Sequence, residues 1–172
     1  MTIQRALRTV GLVVYFPTFA FAQLLGGDPH FPVLNQMRWE MNIDEIREVC
    51  GNNWAIAGKN DSLLTYNAVF FSAASRVRIQ IEPKSGQPRM ISIGFEKPRG
   101  DLRDTLISHL TSRTGKAAMI TIKEKSAIVF TVKMETASWR YGNDLVSVVA
   151  AMRGGELFGL TVLLRAATVG AK

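Results

Sequence analysis

The clearest pattern in the chain runs from Arg76 to Glu96. Val77, Ile79 and Ile81 alternate with Arg76, Arg78, Gln80 and Glu82; Ile91, Ile93 and Phe95 alternate with Met90, Ser92, Gly94 and Glu96. A period of two puts apolar side chains on one face and polar ones on the other. Lys84-Ser85-Gly86-Gln87 lies between the two runs, so the pattern predicts an antiparallel hairpin with one wet face. Upstream, Ser62 to Ala73 carries Tyr66, Phe70 and Phe71 and predicts another strand. Downstream, four more strands are predicted over Ala118–Lys123, Ile128–Met134, Leu145–Ala151 and Leu157–Arg165, with Gly142-Asn143 and Gly154-Gly155 as turns.

Two segments change to helical spacing. Asn42 stands three residues before Glu45, a capping-box pattern, and Asp44 and Glu45 suit the positive end of a helix dipole. Ile43, Ile46, Val49 and Cys50 then share one face, and Gly51 can take a left-handed cap. Cys50 reads as a small apolar residue of that face. The second helix is predicted over Gly100–Thr114, with Asp101 as cap, a stripe of Leu102, Leu106, Ile107 and Leu110, and Gly115 as stop. Val33–Met41 reads as a first extended segment. The order is helix, strands, helix, strands. The expected fold is α+β: two short helices packed on one face of an antiparallel sheet, with a weak α-β repeat between the halves.

The N-terminus has its own pattern. Arg5 and Arg8 precede an apolar run from Val10 to Ala22, which ends in Ala20-Phe21-Ala22. That is the order of a secretory signal: a positive region, an apolar core and an A-x-A cleavage site. The run is about 13 residues, short of the roughly 20 a spanning helix needs, and Pro17 interrupts it. The expectation is a signal peptide over 1–22, a flexible Gly/Pro-rich leader over 23–32, a single domain over 33–166 and a short tail over 167–172. Retention of the signal as an anchor stays open.

Charge then has to be recounted. Setting aside Arg5 and Arg8 leaves 19 basic residues against 14 acidic ones, a net charge of +5 rather than +7. No block of five or six basic residues occurs. Arg76, Arg78, Lys84, Arg89, Lys97 and Arg99 border the central hairpin, and Arg76 and Arg78 share one strand face. Trp139-Arg140-Tyr141 puts two aromatics on one face of a strand and Arg140 on the other. The candidate binding residues are therefore Arg76, Arg78, Arg140 and Tyr141.

A search for catalytic sets returns little. Cys50 is the sole cysteine, so no internal disulfide forms. It and the distant His30 and His109 do not make a zinc site. The sequence has no G-x-S-x-G, G-x-x-x-x-G-K-[ST] or G-x-G-x-x-G, which removes the nucleophile elbow and the usual phosphate loops. Glu40, Asp44, Glu45 and Glu48 cluster around the first helix; a hydrolase would need two of them facing each other across a cleft. No cofactor and no metal are proposed.

Trp39-x-Met41-x-Ile43-x-Glu45-Ile46-x-x-Val49-Cys50-Gly51 resembles the opening of many small bacterial periplasmic proteins, W-x-M-(S/T)-x-x-E-V-x-x-L-x-G. The helix Leu102 to Gly115, followed by Trp139-Arg140-Tyr141-Gly142, is similar to their second half. These are the α-β repeats of outer-membrane assembly lipoproteins of the SmpA/OmlA type and of the β-lactamase-inhibitor-protein fold. The chain departs from them in three places: it has no lipoprotein cysteine, Asn42 stands for Ser or Thr, and Arg113-Thr114 precedes the glycine where an aromatic is usual. The resemblance implies domains that bind other proteins and catalyse nothing, with no functional residue carried over.

The first expectation is thus an exported, periplasmic or secreted, non-enzymatic binding or accessory protein whose partner is another envelope protein. The alternatives are a small periplasmic hydrolase using the acidic cluster, and a binder of anionic ligands such as nucleic acid or lipid headgroups. Nucleic acid is not expected for an exported protein. Membrane contact stays open, without spanning once the signal is cleaved.

Overall fold

The computed structural model describes residues 28–51, 54–57, 62–117, 119–126, 131–142 and 144–166, without the side chains of 56–57 and 125–126. The predicted signal peptide, the first part of the leader and the tail lie outside the described residues. After a short 3-10 turn at Leu34–Gln36, the elements are α1 (Ile43–Cys50), β1 (Trp54–Ala57), β2 (Leu63–Phe70), β3 (Ala73–Ile81), β4 (Pro88–Phe95), α2 (Leu102–Thr114), β5 (Met119–Ser126), β6 (Thr131–Tyr141), β7 (Asp144–Arg153) and β8 (Glu156–Arg165).

Among the described residues the strands form one eight-stranded antiparallel sheet in the order β1-β2-β3-β4-β8-β7-β6-β5. Each half is a helix followed by a four-stranded meander, and the two last strands meet at the centre. There Ile93 lies opposite Val162. One constant shift along the chain carries Phe70 onto Trp139, Val77 onto Val146, Ile79 onto Val148, Ile91 onto Leu160, Ile93 onto Val162 and Phe95 onto Leu164, all buried. The repeat is therefore one of core positions, while the polar residues diverge freely.

The core is the helix-side face of the sheet. Tyr66, Val77, Ile93, Val162, Val148 and Ala137 form one register row across six strands, and all six are buried. Full burial of such an aliphatic side chain contributes about 1.5–3 kcal/mol. Ile46 from α1 and Leu102, Leu106 and Leu110 from α2 close this face, with α2 against β6 and β7. Trp139 Nε1 donates to the Gly115 carbonyl at 3.1 Å, tying β6 to the end of α2. The α+β expectation, with helices on one face, holds.

The capping box at Asn42 forms: its side chain accepts from the Asp44 and Glu45 amides, and Glu45 accepts from the Asn42 amide. Asp101 sits at the N-cap of α2 but makes no side-chain cap bond; it pairs with Arg99 at 3.5 Å. The segment Ser62–Ala73 is not one strand. Phe71 and Ser72, at φ of 51° and 58°, turn the chain between β2 and β3. β1 was not anticipated. Val33–Met41 is not extended at its start: Phe31, Leu34 and Met37 recur every third residue and are fully buried around the 3-10 turn. Residues 28–32, expected as part of a flexible leader, are docked on the fold through Asp28 and Phe31. No helix among the described residues is long and apolar enough to cross a membrane.

Candidate functional site

Alternation along each strand leaves a second sheet face, on the side away from both helices, that no described element covers. Its rows follow from the register. One runs Thr65, Arg78, Ser92, Leu163, Ser147, Ser138 and Met119; the next runs Asn67, Arg76, Gly94, Thr161, Val149, Thr136 and Thr121. A third runs Leu63, Gln80, Met90, Arg165, Leu145 and Arg140. Small side chains dominate the middle. Ser138 and Ser147 bond each other through their hydroxyls at 2.9 Å and are almost out of solvent.

Cations border this small-residue centre. Arg76 and Arg78 are exposed on β3, in line with the hairpin alternation. Arg78 borders three shallow depressions of about 590, 340 and 220 Å³; Arg76 borders the first and last of these. Arg76 is paired with Glu96 at 3.3 Å, and both side chains are exposed. Arg78 makes no ion pair among the described residues. Arg140 shares this face but not this neighbourhood: β4, β8 and β7 separate it from β3, a distance of about 19 Å at the usual strand spacing. Arg165, on β8, stands between them, and sequence reasoning missed it; its parity with Leu163 and Thr161 was the available signal. Tyr141 points the other way, half-buried and packed against the core.

The acidic cluster resolves into local roles. Glu40, Asp44, Glu45 and Glu48 are all exposed; Asp44 pairs with Arg47 at 2.9 Å and Glu45 completes the capping box. Glu40 lines a depression of about 780 Å³ together with Glu82, whose carboxylate is paired with Arg89 at 3.3 Å. Trp39 Nε1 donates to Asp144 Oδ2 at 3.0 Å, and the Arg47 guanidinium lies 4.7 Å over the Trp54 ring. Cys50 is half-buried and free, and burial pushes its thiol up to about 11. Among the described residues no three His, Cys, Asp or Glu side chains converge as metal ligands.

A second cluster joins residues far apart in sequence. Asp28 is fully buried. Its Oδ1 accepts the His30 amide at 2.9 Å; its Oδ2 receives His109 Nε2 and, at 3.4 Å, Arg113 Nη1 from α2. His30 stacks on Phe71 at 4.5 Å, and His109 meets both rings edge-on. This cluster locks the N-terminal segment onto α2 and the β2–β3 turn.

No family profile, no curated protein and no solved structure matches this chain.

Proposed function

We propose that this chain is an exported, non-enzymatic binding or accessory protein of the bacterial envelope, acting by protein–protein contact through the bare face of its sheet. The observation that carries the reading is the asymmetry of that sheet: one face is filled by both helices, while the other carries arginines around a centre of small residues. Eight strands and four side-chain rows span roughly 34 by 20 Å at standard spacings. That is roughly 700 Å², close to the ~800 Å² each partner contributes to an ordinary stable interface. Export rests on the N-terminal charge and hydropathy pattern, and the envelope setting on the resemblance to small periplasmic proteins. The test is the double reversal R76E/R78E. Both positions are exposed, so circular dichroism and thermal midpoint are expected to stay at wild type while a partner recovered from envelope fractions is lost. An unchanged set of partners would refute this surface.

A further inference from the structure

We infer that the bare sheet face receives an acidic protein surface, one presenting carboxylates in two groups with apolar side chains between them. The inference rests on the protein-contact reading above and names the chemistry of its partner.

The bare face carries an excess of cations. The register positions of the bare face include Arg76 and Arg78 on β3, Arg165 on β8, Arg140 on β6, Lys123 on β5 and Arg153 on β7, against one carboxylate, Glu156, opposite Arg153 at the far end of β7 and β8. Glu96 and Glu82, just past the ends of β4 and β3, line depressions shared with residues of this face, and each is paired with an arginine at 3.3 Å. Asp44, Glu45 and Glu48 on α1, and Asp104 on α2, lie with the helices. A face with a net excess of one sign steers and retains a partner of the other sign.

The spacing narrows the partner further. Arg76 and Arg78 are alternate residues of one strand, about 6.6 Å apart. That matches carboxylates two residues apart on an extended partner, or four apart on a helix. Arg140 and Arg165 form a second pair in one row with Leu145 between them, about 10 Å apart across β7. Met90, Leu163 and Val149 lie between the two groups, and Ser92, Gly94 and Thr161 leave room for close approach. Most of these cations are arginines, whose planar fork matches a carboxylate bidentately.

The same features disfavour other polyanions. Single-stranded nucleic acid is held by a continuous basic track with rings on which bases stack. No ring occupies a register position of this face; Trp54 and the buried Tyr66 line the depression at Arg76 and Arg78 only at one edge of the sheet, and Phe158 lies in the irregularity beside Ala151 and Met152. Leucines and a valine interrupt the cations. An anionic membrane surface draws dense Lys/Arg clusters and aromatic interface anchors, and this face carries neither.

The experiment measures binding of the full chain to four labelled probes. The first is a peptide in which two glutamate pairs flank two leucines, each alternating with serine. The second is the same peptide with lysine for glutamate, the third a thymidine 20-mer, and the fourth phosphatidylglycerol vesicles. The acidic peptide is expected to bind tightest. R76E/R78E should weaken it at least about tenfold, and R140E/R165E by a similar factor. Raising salt should weaken it only in part, because the leucine contacts persist. Tighter binding of the oligonucleotide or the vesicles, or peptide binding indifferent to both reversals, overturns the inference. If R76E/R78E removes the envelope partner while the acidic peptide is not preferred, the sheet-face reading stands and the acidic partner falls. If neither changes, both fall.

Discussion

Asp28→Ala is the substitution whose effect the structure sets most sharply. The carboxylate is fully buried and accepts three bonds, from the His30 amide, His109 Nε2 and Arg113 Nη1. Removing one member of a buried pair costs about 3–5 kcal/mol when the orphaned charge stays buried. Here the orphaned partners keep some water: the His109 and Arg113 side chains are 21% and 30% exposed. They can resolvate, so the expected loss is about 2–3 kcal/mol. Urea denaturation reads this as a midpoint shift of about 1–1.5 M for a small domain of ordinary m-value. Asp28→Asn keeps an acceptor for the His30 amide and should recover part of the loss. Amide exchange should localise the damage to His30, Phe31 and the turn at Phe71, since the rings of that cluster pack on one another. A D28A protein within about 0.5 kcal/mol of wild type, with unaltered exchange at Phe31, would refute the anchor.

Other expectations are narrower. Cys50, its thiol pushed up to about 11 by burial, should react with a disulfide reagent at pH 8 far more slowly in the native protein than in urea, and equal rates would contradict its packing. Glu135 is held below the usual carboxylate range by a hydrogen bond from Lys133, with Lys133 and Arg103 as positive neighbours. Its lowered folded pKa adds stability that is present above the ordinary carboxylate pKa and lost as pH falls through the lowered value. The thermal midpoints of wild type and E135Q should therefore differ at neutral pH and converge in acid; a gap that persisted or widened in acid would contradict this. Ser72→Gly should raise stability by about 0.5–1 kcal/mol, because Ser72 is exposed at φ 58° in the left-handed region that glycine takes without cost.

Most of the sheet was legible because its signal is local. Val77-Ile79-Ile81 and Ile91-Ile93-Phe95 are buried in alternation, and the wet positions between them became the bare face. The capping box at Asn42 was equally readable, since four adjacent residues carry all its chemistry. What failed did so for identifiable reasons. Phe71 and Ser72 turn the chain in a conformation usually signalled by glycine or asparagine, so an aromatic run hid the break. Val33–Met41 departs from the extended segment expected because Phe31, Leu34 and Met37, spaced three apart, bury around a 3-10 turn. Asp28 and His109 stand 81 residues apart, and no local pattern announces such a pair.

The candidate site divides in the same way. That Arg76 and Arg78 share a face follows from parity alone. That Arg140 lies on that face but four strands away, and that Arg165 lies between, depends on β8 inserting beside β4. Strand order is a long-range property, and only the closing of the two halves around Ile93 and Val162 sets it.

The account's central claim is that contact is made through the bare face and not through the helices. A photo-crosslinking residue at position 161, in the middle of that face, can be compared with one at position 108, on the exposed side of α2. Illuminated in envelope extracts, the chain labelled at Thr161 should yield a discrete adduct that R76E/R78E abolishes, and the chain labelled at Ser108 none. An adduct formed only from Ser108 would place the partner on the helices and contradict the account.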